Sequence, residues 1–188
     1  MLYSGAARLR RGWKIGTAAV WVEEEANRLI RELLDLKRVA TREEIQKVLA
    51  QVRQAPFRSG AIRVDVDVQG ARVLGRTLGK REPSSIAHLA KRVLVEKQWA
   101  DDTTPEQYLA DLHGIADDPA VCIVIFRSRD GQHMLGLWAP NHIPAERLGE
   151  GSQRYLWVLY SADYGTITTG YQVSSLDRVA IPEGARWL

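Results

Sequence analysis

The first half of the chain carries apolar residues at helical spacing in two successive segments. Residues 17–39 place apolar side chains on one broad face, with acidic residues early and basic residues late, as the helix macrodipole favours. A second helix is predicted from Thr41 to about Gln54, because Thr41 and Glu44 have the spacing of a capping box. The dipeptide Ala55-Pro56 ends this helix.

From Gly60 the spacing of apolar residues along the chain changes. Residues 61–68 alternate apolar with polar, which predicts a half-buried strand, and glycines then interrupt the chain as in a hairpin or loose segment. A third helix is predicted to start at residues 83–85 and to run to about residue 94. A fourth is predicted from Thr104 to about Ala116, with a proline in its first turn.

The remainder of the chain is strand-like. The turn signals Arg129-Asp130-Gly131 and Asp163-Tyr164-Gly165 are typical of hairpins, and hairpin-length connections indicate an antiparallel meander. The predicted strands are residues 121–127, 133–138, 154–161 and 166–173.

Together the elements predict an α+β protein, with N-terminal helices and then helices followed by a four-stranded antiparallel β-sheet. We place the domain boundary at residue 80. Residues 1–80 form a helical N-terminal region with a strand or hairpin, and residues 81–188 form an α+β domain.

Composition narrows the function classes only slightly. The hydrophobic fraction of 45% and charged fraction of 26% are those of an ordinary globular protein. A formal net charge of +3 permits an anionic partner without requiring one. The single cysteine, Cys122, rules out a disulfide framework, and its apolar neighbours predict a small buried side chain in a strand. The apolar stretch 15–22 is too short to span a membrane, so we expect a cytoplasmic protein.

Most familiar catalytic motifs are missing from the sequence. There is no phosphate-binding glycine loop, no dinucleotide fingerprint and no serine nucleophile elbow. The acidic pairs lie at helix boundaries or on a strand, and the histidines lack the paired spacing of a helical zinc site. We therefore expect no metal and no cofactor. The four histidines are His88, His113, His133 and His142.

The remaining candidates suit metal-free phosphoryl chemistry on RNA. His88 is followed within one helical turn by Lys91 and Arg92, while Thr169 and Tyr171 are two residues apart on the last strand and leave it on one face. A histidine can act as base or acid, a cation can hold the phosphate, and a hydroxyl can position or donate a proton.

The order of these residues along the chain resembles that of a known family. The motifs are His88-x-x-Lys91-Arg92, Thr104-Pro-Glu106-Gln-Tyr108, Asp118-Pro119 and Thr169-Gly170-Tyr171. Over residues 84–175 the chain is similar to toxin-type nucleases of the barnase/EndoU/colicin/RelE superfamily, in particular their phage- and polymorphic-toxin-associated branches. That resemblance implies helices followed by four antiparallel strands.

The resemblance also implies roles. His88 would be general acid or base, Lys91 or Arg92 would bind phosphate, and Thr169 and Tyr171 would lie across the cleft. The implied activity is metal-independent cleavage of tRNA or mRNA by 2′-OH transesterification. The implied partners are RNA and an antitoxin or immunity protein. The family also uses a basic residue from a middle strand to bind substrate, and the candidates are Arg127, Arg129 and Arg154.

Two alternatives stay open. The chain could keep this fold as a non-catalytic interaction module of a phage or mobile element, or it could be a nucleic-acid-binding regulator that uses basic residues 8–14. Trp13 and Trp21 lie in or near that basic segment and fit either base stacking or core and dimer contacts. The two N-terminal helices have enough apolar surface to cover the strand at residues 61–68 or to form a homodimer.

Overall fold

The computed structural model describes residues 25–57, 88–89 and 91–188. The predicted strand at residues 61–68, the tryptophans Trp13 and Trp21, and the start of the third helix all lie outside the described residues.

Helices form where the sequence supplies an apolar face, and two of them also have an N-terminal side-chain cap. Helix α1 covers residues 25–35, helix α2 is Arg42–Val52 and helix α3 is Pro105–Gly114. Thr41 caps α2 and Thr104 caps α3, each within a reciprocal capping box. Short 3-10 turns follow at Ile115–Asp117, Ala145–Arg147 and Leu176–Arg178.

The C-terminal part forms one antiparallel sheet in the order β4-β3-β2-β1-β5. Its strands are β1, Cys122–Arg127; β2, His133–Pro140; β3, Tyr155–Ser161; β4, Thr166–Val173; and β5, Arg186–Trp187. Both predicted hairpin turns are present, and each places a glycine at positive φ, 84° at Gly131 and 64° at Gly165.

The predicted α+β class is confirmed, but the expected count of four strands is wrong because the sheet has five strands among the described residues. The additional strand β5 is only two residues long and pairs with β1 through Val124 and Ile125. A strand of that length has no alternating period from which to be predicted.

One face of the sheet packs on the helices. Side chains from β1 to β4 share a single buried cluster with α1, α2 and α3, in which Ile30 and Leu33 of α1, Val48 of α2 and Leu112 of α3 are fully buried. The described helices among the first 80 residues thus share one core with the sheet. The proposed boundary at residue 80 stays a prediction.

The opposite face carries a second buried cluster, centred on Trp157 of β3. Residues beyond β4 fold back over it, and Val179 is buried there together with Val173. The half-buried aromatic side chains Trp138, Tyr155 and Tyr171 lie at the margin of this cluster.

Side chains protect the outer edge of strand β4. The Tyr108 hydroxyl donates to the Gly170 carbonyl at 2.6 Å and accepts from its N–H at 3.0 Å. The Gln98 amide bonds the N–H and carbonyl of Gln172, each at 2.8 Å. An edge strand otherwise presents a row of unpaired groups to other chains, so these contacts both complete the sheet and hold residues 92–108 against β4.

Candidate functional site

The predicted catalytic residues come from two elements that lie side by side, the segment at residues 88–95 and strand β4. His88 is helical, and Lys91–Val95 forms a π-helical turn in which the Glu96 N–H bonds the Lys91 carbonyl at 2.9 Å. In a π-helical turn the backbone hydrogen bond joins residues five apart rather than four. Lys91, Arg92 and Glu96 lie close together around this turn.

Arg92 is the centre of this site. Its Cζ lies 4.4 Å from the centroid of the Tyr171 ring, a cation–π contact. Its Nη1 lies 2.5 Å from Glu96 Oε2, and Lys91 Nζ lies 3.1 Å from Glu96 Oε1. Because two cations share one carboxylate, this group carries a net charge of +1 and suits an anion such as phosphate.

The histidine of the site is neutral at physiological pH. Burial lowers the pKa of His88 to about 4, and the positive charges of Arg92 and Lys91 act in the same direction. A neutral imidazole accepts a proton, so His88 is suited to the role of base rather than acid at pH 7.

The tyrosine of the site stays protonated. Burial raises the pKa of the Tyr171 hydroxyl above its ordinary value, which outweighs the opposing effect of the Arg92 charge. The charges of Arg92 and Glu96 act on the pKa values of both His88 and Tyr171. A proton acceptor and a hydroxyl donor therefore share one electrostatic environment.

Thr169 belongs to a different group of contacts. It lies opposite Leu159 on the same side of β4 as Tyr171, as predicted, but only 5% of it is exposed. Burial raises the pKa of Tyr108 to about 12, and the nearby Thr169 hydroxyl acts in the opposite direction. Thr169 Oγ1 is itself buried without a hydrogen-bond partner among the described residues. The structure therefore brings Thr169 to Tyr108.

The predicted substrate-binding arginines lie at opposite ends of the sheet. Tyr171 and Cys122 lie in the same row of paired residues across the sheet. Arg127 is five residues further along β1, so it lies about 17 Å from that row at ~3.4 Å per residue. Arg127 pairs with Asp35 at 2.6 Å, and Arg129 lies in the turn beyond it. Arg154 precedes β3 at the same end as Tyr171.

Glu96 is the site residue that the sequence reasoning missed. Its spacing of four residues from Arg92 is that of a helical ion pair, and this signal could have found it. The aromatic side chains Trp138 and Tyr155, next to the site, carried no such local signal because they belong to separate strands.

The other three histidines form structural contacts. His113 and His142 bond the backbone carbonyls of Ala55 and Asp111. His133 Nδ1 lies 3.1 Å from Asp163 Oδ1, beside the Asp35–Arg127 pair. Cys122 is half-buried at the start of β1, so its predicted burial is only partial.

Three further observations concern ligands and surroundings. A cavity of about 280 Å³ lies between α2 and residues 116–123, and none of the predicted site residues line it. Among the described residues, no group of three or more His, Cys, Asp or Glu side chains is placed to hold a metal ion. No helix in the described ranges is both long and apolar enough to cross a membrane.

Comparison with known proteins gives no relative: no family model, no curated protein and no solved structure matches this chain.

Proposed function

We propose that the protein is a metal-independent endoribonuclease of toxin type. The observation that carries this proposal is the proximity of a neutral histidine, a cation group of net charge +1 and a protonated tyrosine, contributed by residues 88–96 and β4. These are the three groups that RNA cleavage by its own 2′-hydroxyl requires when no metal takes part.

In this mechanism His88 accepts the proton of the ribose 2′-hydroxyl. The 2′-oxygen then forms a bond to phosphorus, and the bond between phosphorus and the 5′-oxygen breaks. Tyr171 donates its proton to the leaving 5′-oxygen, so the products are a 2′,3′-cyclic phosphate and a 5′-hydroxyl end. Proton exchange with water returns both side chains to their starting states.

The cations support charge on the phosphorane. Arg92 and Lys91 are held by Glu96, so a phosphate entering the site competes with that carboxylate for them.

The proposal also includes membership of the suspected superfamily, a cytoplasmic RNA substrate and an antitoxin or immunity protein as partner. These three parts of the proposal rest on the order of the motifs within residues 84–175.

The test is RNA cleavage by the full chain in EDTA. We expect His88→Ala and Tyr171→Phe each to reduce the rate by about 10²-fold or more, the range for a general base or acid. His142→Gln and Tyr164→Phe are matched controls outside the site, and circular dichroism of each variant checks that it is folded. Unchanged cleavage in both site variants contradicts the proposal.

The pH dependence provides a second readout of the same mechanism. Because the pKa of His88 is about 4, the base is protonated and inactive below that pH, and the rate rises as pH increases through 4. Since the Tyr171 pKa is raised, the rate stays level through neutral pH. A rise centred near pH 6.5 in the unchanged protein would contradict the assignment of His88 as the buried base.

One observation favours the non-catalytic interaction module as a second candidate. Arg92 is only 7% exposed and is paired with Glu96, as an arginine with a purely structural role would be. The module is favoured if the unchanged protein degrades no RNA and is not toxic on expression.

A further inference from the structure

A second group of aromatic and cationic side chains lies at the same end of the sheet as Tyr171. The Trp138 and Tyr155 rings are stacked, with centroids 4.4 Å apart and an angle of 25° between their planes. Arg154 Cζ lies 5.3 Å from the Tyr155 centroid. We call these three residues the Tyr155 platform.

Strand register joins this platform to the proposed catalytic site. Trp138 lies opposite Trp157, which lies opposite Tyr171, and Tyr155 is two residues along β3 from Trp157. Tyr155 and Tyr171 are therefore diagonal neighbours on one face, and such positions are roughly 7–8 Å apart. Each ring has an arginine above it, Arg154 at Tyr155 and Arg92 at Tyr171.

The exposed charge of Arg154 beside the stacked rings points to an anionic, aromatic ligand. Arg154 is exposed and forms no ion pair with any described residue, whereas Arg127 at the other end of the sheet is neutralised by Asp35. An unneutralised cation beside half-buried stacked rings is the arrangement that binds bases and phosphates of a single strand.

We propose that the Tyr155 platform binds an unpaired base of single-stranded RNA adjacent to the phosphate held at Arg92. This inference rests on the proposed function and defines its substrate as single-stranded. A base in a duplex is already stacked on its neighbours, so its face is not available to the platform. Stacking accepts any base, so the platform selects strandedness rather than sequence.

The experiment measures binding separately from cleavage. The full chain is titrated into a fluorescein-labelled, fully 2′-O-methylated RNA oligonucleotide, which has no 2′-hydroxyl to attack, and anisotropy gives the Kd. We expect Tyr155→Ala and Tyr155→Leu to weaken binding about 5- to 100-fold, the cost of losing one stacked base. Tyr155→Phe keeps the ring and should bind like the unchanged protein. Leucine preserves much of the apolar contact, so it separates stacking from folding.

The role of Arg154 is tested by salt dependence. Arg154→Ala should weaken binding and reduce the slope of log K against log salt by about 1, the contribution of one phosphate contact. Arg42→Ala, at an exposed position in the first turn of α2, and Tyr164→Ala, in the β3–β4 turn, are matched controls.

The outcomes distinguish this inference from the proposed activity. Binding that depends on Tyr155, in a protein that cleaves no RNA, supports the platform and rejects the nuclease. Cleavage with binding unchanged in Tyr155→Leu rejects the platform and keeps the nuclease. Equal affinity for a methylated duplex, or a Tyr155→Phe variant as weak as Tyr155→Leu, also overturns the platform.

Discussion

At the scale of single residues, Tyr108 connects the helical layer to the sheet. Its side chain is completely buried, packs edge-on against Trp99 at 4.9 Å and bonds both backbone groups of Gly170. A Cβ at Gly170 would collide with the Leu112 side chain, so the glycine permits this close approach of α3 to β4. Tyr108 thereby holds the strand that carries Tyr171.

We predict that Tyr108→Phe lowers the free energy of unfolding by about 2–4 kcal/mol, because it leaves a buried N–H and a buried carbonyl without partners. Urea denaturation followed by circular dichroism measures this loss. Tyr164→Phe, at a position that is 55% exposed, is the control and should be within about 0.5 kcal/mol of the unchanged protein. Equal stability of Tyr108→Phe and Tyr164→Phe would show that the hydroxyl contributes nothing.

At the scale of elements, the capping residue Glu44 of helix α2 also forms an ion pair with a residue that precedes the helix. Glu44 accepts from the Thr41 N–H at 2.9 Å, as a capping box requires, and also binds Arg38 through two bonds of 2.6 and 2.8 Å. These contacts lower the pKa of Glu44 from 4.5 to about 2; the bidentate contact with Arg38 has the largest effect and the Thr41 N–H the next largest.

This pKa sets the direction of a pH effect. The folded pKa of Glu44 lies below the unfolded value, so its stabilising contribution is present above pH 4.5 and is lost as pH falls toward 2. We predict that Glu44→Gln is less stable than the unchanged protein at pH 7 and that the difference shrinks through this window. Thermal unfolding at several pH values measures it.

The control for Glu44→Gln is Glu106→Gln, which changes an exposed carboxylate in the first turn of α3. Glutamine already serves as the capping-box partner in α3, at Gln107, so Glu44→Gln retains the cap and removes only the charge. A stability difference that persists unchanged at pH 2 would mean that the charge of Glu44 has no part in it.

At the scale of the whole molecule, the sheet separates two cores of different construction. The larger one joins α1, α2, α3 and the sheet, and the smaller one lies under residues that follow β4. Because α1 and α2 contribute fully buried side chains to the larger core, we expect them to unfold together with the sheet.

We predict that Leu33→Ala lowers the free energy of unfolding by about 2–5 kcal/mol, the range for a buried leucine. Its transitions by far-ultraviolet circular dichroism and by tryptophan fluorescence should coincide. Leu36→Ala, just beyond α1 and 68% exposed, is the control and should have little effect. Two separate transitions would show that the helices and the sheet are independent units.

The predicted elements were correct where the signals were local. The capping box at Thr41, the helix start at Thr104 with its proline in the first turn, and the glycine turns all act within a few residues of chain, and the structure confirms them. Strand β5 was missed because its pairing with β1, rather than its own pattern, makes it a strand. The spacing of His88, Lys91 and Arg92 likewise placed a candidate group on one short segment.

By itself the sequence determined the local conformations: helix starts, turns, the positions of strands β1 to β4 and the grouping of His88 with two cations. Only the tertiary structure decided which distant groups meet. It placed Arg92 over Tyr171, directed Thr169 to Tyr108, and put Arg154, rather than Arg127, at the same end of the sheet as Tyr171. The physical reason is that backbone propensity acts over one or two turns, whereas burial and charge pairing are settled by whatever the packed chain brings within a few ångströms.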